Sequence, residues 1–212
     1  MTLPLFHQGP LESAIEALRT DLLADGGPRI STMRNYRFAI VPYEPADETQ
    51  LRNRMKKLTD ELKSLGWLIL SISLQKLLLD RVRSLGDDAV KSLIAAEKRQ
   101  HGKSPERGLA HLQEQILPLI EGPDGIAADV VKLVQDFATA HPSRVDHSLV
   151  LLGRLGALYP FFRSSALLRH IDGRTSGVPV ILLYPGTRVG RHALRFMGEH
   201  AADGDYRPKI YP

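Results

Sequence analysis

The spacing of apolar residues in the first third of the chain predicts a helix, a strand, a second helix and a second strand. Leucine, isoleucine and methionine recur every three or four residues over Leu11–Leu23 and again over Asp47–Leu65, as on one face of a helix. Tyr36–Val41 is rich in aromatic and β-branched residues and predicts a strand that ends at Pro42. The apolar run Trp67–Ser73 predicts the second strand. This order indicates a parallel pair of strands joined by a right-handed crossover.

The middle of the chain is predicted to be helical. Glycines and a proline-containing loop separate stretches with helical spacing near Leu74–Leu85, Asp88–Gln100, Glu106–Glu121 and Ile126–Ala140. A single crossover between neighbouring strands does not need this much chain. We therefore expect a helical insertion at about residues 74–140, within a single α/β domain that spans residues 1–212.

The last third of the chain returns to strand patterns. Asp146–Gly153 and Val178–Tyr184 contain continuous apolar runs, which are typical of strands buried on both faces of a parallel sheet. Leu155–His170 has mainly helical spacing, and Pro160 predicts a late start or a kink in this helix. Leu194–Met197 with Arg207–Tyr211 is predicted to form a terminal hairpin. The whole pattern predicts a mostly parallel, doubly wound, Rossmann-like α/β sheet with the helical insertion.

Composition narrows the class of protein. The chain of 212 residues contains no cysteine, which excludes disulfides, thiolate metal sites and thiol nucleophiles. No apolar stretch reaches the length of a membrane span and the N-terminus lacks a signal-peptide pattern, so we expect a cytoplasmic protein without membrane contact. The formal net charge of +4 is a mild excess, which permits contact with nucleic acid or with an acidic protein surface.

Polar residues follow the apolar runs at the predicted carboxyl ends of the strands. These ends gather at one edge of a parallel sheet, where open α/β folds bind their ligands. The predicted crevice contains Tyr43, Ser73, Arg154, Tyr184, Gly186, Thr187 and Arg188. Two arginines at this edge would hold a carboxylate or a phosphate through forked hydrogen bonds. The alternative is that these residues are ordinary polar loops, which any fold of this class has at its strand ends.

The sequence motifs of common enzyme classes are missing. Neither Gly-x-x-x-x-Gly-Lys-Ser/Thr nor Gly-x-Gly-x-x-Gly is present, so the sequence does not encode the usual loops whose backbone amides cradle phosphates. The histidines do not form a His-Glu-x-x-His pattern, and no serine lies in Gly-x-Ser-x-Gly. We therefore expect no catalytic residues, no metal site, no cofactor and no enzymatic activity.

Two groups of basic residues have two open interpretations. The first group, on the second predicted helix, consists of Arg52, Arg54, Lys56, Lys57 and Lys63. The second group, around a loop in the helical insertion, consists of Lys98, Arg99, Lys103 and Arg107. Each group either contacts phosphates or is the solvated face of an amphipathic helix. The solvated face is the favoured interpretation, because no aromatic residues are interleaved for stacking on bases.

Short segments of the chain, taken in order, match a known family pattern. These segments are Tyr36–Ile40, Leu149–Leu168, Val178–Thr187, Leu194–Gly198 and Tyr206–Tyr211. Together they resemble the BrxB family of bacterial BREX (bacteriophage exclusion) defence systems. The resemblance implies a component of an antiviral system whose other members include the methyltransferase PglX, the alkaline-phosphatase-like PglZ and the ATPase BrxC.

The resemblance also implies a role in assembly, since no enzymatic activity is established for the family. We expect a non-enzymatic adaptor that contacts a PglZ-like protein, with PglX and BrxC as further partners. The expected contact surface contains Arg154, Tyr159, Arg163, Tyr184, Arg188 and Arg195. Two alternatives stay open: a module that contacts nucleic acid through the basic groups, and a sensor that binds a nucleotide or another small ligand in the crevice.

Overall fold

The computed structural model contains both helices and strands, and it describes residues 9–30, 37–162, 164–171, 173–190, 193–198, 203–204 and 208–212. The helices are α1 (Pro10–Leu22), α2 (Glu48–Ser64), α3 (Leu74–Arg83), α4 (Asp87–His101), α5 (Pro105–Ile120), α6 (Ile126–Ala140) and α7 (Ser164–Ile171). The strands are β1 (Phe38–Tyr43), β2 (Leu68–Ser73), β3 (Ser148–Gly153), β4 (Val180–Val189), β5 (Ala193–Phe196), β6 (Asp203–Gly204) and β7 (Lys209–Ile210). Short 3₁₀ segments cover Pro45–Asp47, Pro142–His147 and Leu155–Leu158.

The sheet has the strand order β2-β3-β4-β1-β7, and each neighbouring pair on this path is parallel. The register places Ile40 of β1 beside Leu182 of β4, and Leu151 of β3 beside Ile181 of β4. β1 therefore lies in the interior of the sheet although it comes first in the chain. The crossover through α2 passes β4 and β3 and places β2 at one end of the strand order.

Side chains of the sheet alternate between two apolar cores. Ala39 and Val41 belong to the core formed with α1 and α2, whereas Phe38 and Ile40 belong to the core formed with α3, α5, α6 and α7. Helices therefore cover both faces of a mostly parallel sheet, and the predicted α/β class is confirmed. Among the described residues, no helix combines the length and the apolar character needed to cross a membrane.

The helices between β2 and β3 pack unequally. α6 buries Val130 and Val134 completely in the core, whereas α4 has no buried residue and packs chiefly against α5. Gly108 of α5 allows this close packing, because a Cβ there would lie only 2.9 Å from Cβ of His101 at the end of α4. α4 and α5 thus form a helical hairpin at the periphery of the fold.

Arg81 of α3 ties the base of this hairpin to α6. Its Nε donates to Asp129 Oδ2 at 2.5 Å, and its Nη1 donates to the carbonyl oxygen of Leu119 at 2.8 Å. Its Nη2 donates to the carbonyl oxygens of Asp124 and Gly125 at 2.6 and 2.7 Å. The guanidinium therefore satisfies carbonyls at the end of α5 and before α6, and it joins three helices through one side chain.

β4 is longer than the sequence predicts. The pattern predicts an end at Tyr184, but the strand continues to Val189. Its first half pairs with β3, and its second half pairs with antiparallel β5, which takes the position that β3 leaves free. Gly186 makes this possible, because a Cβ there would lie 2.1 Å from the carbonyl oxygen of Arg195. The Pro-Gly pair therefore marks a close approach of two backbones and not the loop expected from the sequence.

β1 also runs through the proline that is predicted to end it. The strand includes Pro42 and ends at Tyr43. The carbonyl of Ile40 accepts from the N–H of Tyr211 at 3.0 Å. The backbone groups of Ile40, and of Pro42 two residues later, therefore point toward β7. β7 ends at Ile210, so no strand residue lies opposite the position where Pro42 lacks an N–H. Proline is therefore tolerated there without loss of a hydrogen bond between the strands.

Of two further predictions about the last third, only the terminal hairpin is wrong. Leu155–His170 is a 3₁₀ segment followed by α7, which begins at Ser164, the late start that Pro160 predicts. β5 and β7 do not form a hairpin, because β5 pairs with β4 and β6 while β7 joins β1. Tyr36 and Arg207, the predicted starts of the first and last strands, lie outside the described residues.

Candidate functional site

A groove of about 400 Å³ opens at the carboxyl edge of the sheet, between α2 and the strands β2 and β3. Its floor includes the apolar side chains of Leu51, Met55, Leu151 and Leu183. The polar residues that line it are Tyr43, Glu48, Arg52, Lys56, Thr59, Ser71, Ser73 and Arg154. Its place at the strand ends is where the sequence predicts a crevice.

A hydrogen-bonded network of three side chains closes one end of the groove. The hydroxyl of Tyr43 donates to Glu48 Oε2, and Nη1 of Arg154 donates to Glu48 Oε1 at 3.1 Å. Tyr43 ends β1, Glu48 begins α2, and Arg154 follows β3 directly. The network therefore holds together elements that are far apart in the chain.

The backbone of Arg154 explains how its side chain reaches this network. Its φ of 64° and ψ of 31° place it in the left-handed region, which a non-glycine residue occupies at a cost of about 1 kcal/mol. The turn sends Leu155 into the core, where it is fully buried, and leaves the guanidinium of Arg154 beside Glu48.

Tyr43 is a buried phenol in this network. Burial, followed by the hydrogen bond to Glu48 and the negative charge of that carboxylate, raises the pKa of Tyr43 well above its ordinary value. The positive charge of Arg154 opposes this shift. Tyr43 therefore stays protonated and serves as a hydrogen-bond donor throughout the physiological pH range.

The same network borders a second, smaller cavity of about 200 Å³. Its other walls come from Pro45, Gln75, Gly156, Ala157, Pro185 and Met197. Since Tyr43, Glu48 and Arg154 line both spaces, the network acts as a partition within the crevice.

The structure brings together only part of the predicted crevice. Tyr43, Ser73 and Arg154 line the groove, although the hydroxyl of Ser73 also caps α3 by accepting from the N–H of Lys76 at 3.3 Å. The predicted crevice residues that do not line it are Tyr184, Gly186, Thr187 and Arg188. Their placement differs from the prediction because they continue β4 and do not form a loop at its end.

Tyr184 illustrates this correction most clearly. Its side chain is fully buried in the core on the face opposite the groove, 5.5 Å from the ring of Phe196 between centroids. It therefore contributes neither to the crevice nor to an exposed contact surface. Tyr159 is half-buried against the same phenylalanine, at 6.0 Å between ring centroids.

The second half of β4 and β5 form a two-stranded ribbon (residues 186–189 and 193–196) that carries two of the predicted contact residues. Arg188 and Arg195 are both exposed. Arg188 lies opposite Leu194, whereas Arg195 lies opposite Thr187, so the two arginines point to opposite faces of the ribbon. Alternation along β5 places Arg195 on the face away from the core that holds Leu194. Arg163, also predicted for this surface, lies outside the described residues.

Several groove residues are absent from the predicted crevice. Arg52, Met55, Lys56 and Thr59 recur at helical spacing on α2 and line the groove together. The sequence contains a pattern that could predict these residues. Their helical spacing places them in a stripe beside the apolar stripe that includes Leu51. The crevice predicted from the sequence rests on the strand ends alone, and Arg52 and Lys56 belong there to the first basic group.

The two basic groups have different surroundings. On α2, Arg54 pairs with Glu12 of α1 at 2.9 Å and lines a different pocket from Arg52 and Lys56. The second group lies at the tip of the α4–α5 hairpin. All of its members are exposed, and none forms an ion pair with a carboxylate in the described part of the chain: Lys98, Arg99, Lys103 and Arg107.

Comparison with known proteins identifies the family. The sequence profile of the family described as "BREX protein BrxB" matches residues 70–210 of the 212 in this chain. The chain belongs to the BrxB family. It is therefore a component of a BREX phage-defence system, as the resemblance of its sequence segments predicts. Searches of curated proteins and of solved structures found no match.

The BrxB match divides the groove into two parts. It covers the β2 and β3 side, including Ser71, Ser73 and Arg154, and it excludes β1 and α2. The β4–β5 ribbon lies wholly within the match.

Proposed function

We propose that this BREX component is a non-enzymatic adaptor that binds the PglZ protein of its system through the β4–β5 ribbon. The observation that carries the proposal is the ribbon itself, which extends the sheet beyond the end of β3. Membership of the BrxB family supplies the class of partner. The missing nucleotide-hydrolase and hydrolase motifs motivate the non-enzymatic assignment.

The ribbon combines a firm base with an exposed surface. Leu194 and Phe196 are buried and fix β5 to the core. Arg188, Val189 and Arg195 are exposed on the same short element. An arginine beside aliphatic surface, held on a rigid element, is typical of residues that contribute strongly to protein–protein binding.

Co-purification with PglZ tests the adaptor proposal. Arg195→Glu should weaken the complex by about tenfold or more, because it places a negative charge where the partner meets a cation. Lys63→Glu is the matched control, since it makes the same change of charge at an exposed site on α2 and should leave binding unchanged. Arg188→Glu tests the opposite face of the ribbon.

Two results would contradict the adaptor. One is the absence of any complex with PglZ or another BREX component when the tagged chain is recovered from cells that express the whole system. The other is turnover of a substrate by the purified chain, which would overturn the non-enzymatic part. Circular dichroism and thermal melting of each variant establish that folding is intact.

We also propose a second contact, between the tip of the α4–α5 hairpin and the phosphate backbone of duplex DNA. The observation that favours it is the group of four exposed cations at the tip, none of which forms an ion pair with a carboxylate in the described part of the chain. Acidic residues lie at the other end of α4, where Asp87 and Asp88 form its first turn. The tip also contains Glu97 and Glu106, and its four cations still leave it with a net positive charge.

Salt-dependent DNA binding tests this contact. Four phosphate contacts would make log K fall with log salt concentration with a slope of about −3.6. Replacing all four tip cations by glutamine should abolish that slope. The matched control replaces Arg52, Lys56, Lys57 and Lys63 by glutamine, which removes the same charge from α2. Equal loss of binding in both variants would show only a general charge effect and would defeat the proposal.

A further inference from the structure

We propose that the groove between α2 and strands β2 and β3 binds a mononucleotide-sized organic phosphate, with its phosphate at the cationic rim and its base or other apolar body on the floor. This proposal is independent of the adaptor function. It rests on how α2 covers the sheet, on the chemistry of the lining, and on which cations of α2 are already paired.

The groove exists because the helical layer on this face stops short of the edge strand. α2 buries Leu51, Leu58 and Leu62 in the core that it shares with α1, β1, β3 and β4. On this face β2 is less covered: Ser71 is exposed, and Ile69 is only half-buried. The space beside α2 is therefore a consequence of the strand order, which places β2 at an end of the sheet.

The floor of the groove suits a flat apolar body. Leu51 and Met55 come from the helix, and Leu151 and Leu183 come from the strands beneath it. A thioether next to branched aliphatic side chains makes favourable contacts with aromatic rings. The volume of about 400 Å³ lies within the range of sites that enclose small organic ligands, and it is larger than a bare inorganic anion requires.

Three cationic side chains line the rim of the groove: Arg52, Lys56 and Arg154. Arg52 and Lys56 are one helical turn apart, both are exposed, and neither forms an ion pair with a carboxylate in the described part of the chain. Arg154 faces them from the end of β3, with one nitrogen held by Glu48. Glu48 is the one carboxylate among the described residues of the lining, so the groove carries a net positive charge.

Polar side chains extend from the rim toward the strands. The hydroxyls of Thr59, Ser71 and Ser73 line the groove, and the exposed Ser71 has its hydroxyl free of any partner within the described residues. Hydroxyls at this position are suited to hydrogen bonds with the sugar of a nucleotide. Phosphate, sugar and base would thus meet cations, hydroxyls and apolar surface in one groove.

Isothermal titration calorimetry with adenosine 5′-monophosphate, inorganic phosphate and adenosine tests the proposal on the full chain. The nucleotide should give a saturable signal, and each half alone should bind at least about tenfold more weakly, because each half makes only part of the contacts. The Arg52→Gln/Lys56→Gln double variant should lose about tenfold or more in affinity for the nucleotide.

A matched double variant on the same helix provides the control. Lys57→Gln/Lys63→Gln removes the same charge from exposed positions of α2 that do not line the groove, and its affinity should equal that of the unmodified chain. Guanosine, cytidine and uridine monophosphates, titrated in parallel, extend the test to the other bases.

Three outcomes would overturn the proposal. They are no saturable binding of any of the four nucleotides at millimolar concentration, equal loss in both double variants, and binding of inorganic phosphate as tight as that of the nucleotide. Binding by PglZ is measured separately, so failure here leaves the adaptor proposal standing, and failure of the adaptor leaves the groove standing.

Discussion

α4 and α6 are helices of 15 residues each in the segment between β2 and β3, yet the fold uses them in opposite ways. Ile126, Val130 and Val134 of α6 are completely buried between the sheet and the surrounding helices. α4 has no buried residue, and its Ile94 is 49% exposed. Both sequences show helical periodicity, so periodicity alone does not reveal whether a helix packs on the core or only on another helix.

The two regions are expected to have different roles, one in folding stability and the other in contacts with other molecules. The core around α6 and the sheet contains the side chains whose removal leaves cavities, and we expect it to set the free energy of unfolding. α4 and the tip of the hairpin bury little, whereas α5 buries Ile116 and Ile120 in the core. The exposed cations of the tip are therefore available for contacts with other molecules. Loss of function without loss of folding should therefore arise more readily from the hairpin than from α6.

The largest difference is expected from truncating one apolar side chain in each region. Leu182 of β4 is fully buried in the sheet, and Leu182→Ala should lower the free energy of unfolding by about 3–4 kcal/mol. Ile94→Ala on α4 should change it by less than about 0.5 kcal/mol, because the side chain is already half in water. Urea denaturation of both variants measures the difference. Equal losses would show that the hairpin is as much a part of the core as the sheet.

The junction between the two regions gives the next largest effect. Arg81 donates to carbonyls and to Asp129 at the base of the hairpin, and Arg81→Met leaves these acceptors without their partner. We expect a loss of about 2–3 kcal/mol in the free energy of unfolding. Arg83→Met is the control, because Arg83 is exposed and its one ion pair among the described residues is with Asp80 at 3.5 Å. This variant should cost less than about 0.5 kcal/mol.

A larger side chain between α4 and α5 should disturb the hairpin without disturbing the sheet. Gly108→Val places a side chain where a Cβ would already lie 2.9 Å from His101 Cβ and 3.1 Å from Glu97 Oε1. We expect α4 to move away from α5 at a cost of about 1–2 kcal/mol. Hydrogen exchange should speed up at the amides of α4 and stay unchanged in β3 and β4. Faster exchange throughout the sheet would contradict the separation of the two regions.

Much of the fold could be predicted from the sequence, because local patterns coincide with burial. Ile126–Ala140 has the same bounds in the prediction and in the structure, since its apolar stripe faces the core and glycine precedes it. The course of β4 beyond Tyr184 could not be predicted in this way. Pro-Gly is typical of a turn, and only the tertiary partner β5 shows that the glycine serves a close backbone approach.

The candidate site was predictable only in part for a related reason. Strand ends place Tyr43, Ser73 and Arg154 at one edge, and the structure brings these residues into one groove. The contribution of Arg52 and Lys56 depends on how far α2 reaches over the sheet, which the strand order determines. Strand order results from contacts between distant segments, and a local pattern does not encode it.

The smallest predicted effect concerns the buried phenol of Tyr43 at the sheet edge. Its pKa is raised by burial first and by Glu48 second, so the folded protein keeps the phenolic proton at pH values where the unfolded chain has lost it. The contribution of Tyr43 to stability is therefore complete below the unfolded pKa of about 10 and is lost as the pH rises above it, by about 1 kcal/mol at pH 11. Urea denaturation between pH 9 and pH 11 should show a loss that is smaller by this amount in Tyr43→Phe, which has no phenol at that position to titrate. An unchanged pH dependence in the variant would mean that Tyr43 has the same pKa in the folded and in the unfolded protein. The phenol would then be exposed to water at the sheet edge, as the side chains of the hairpin tip are.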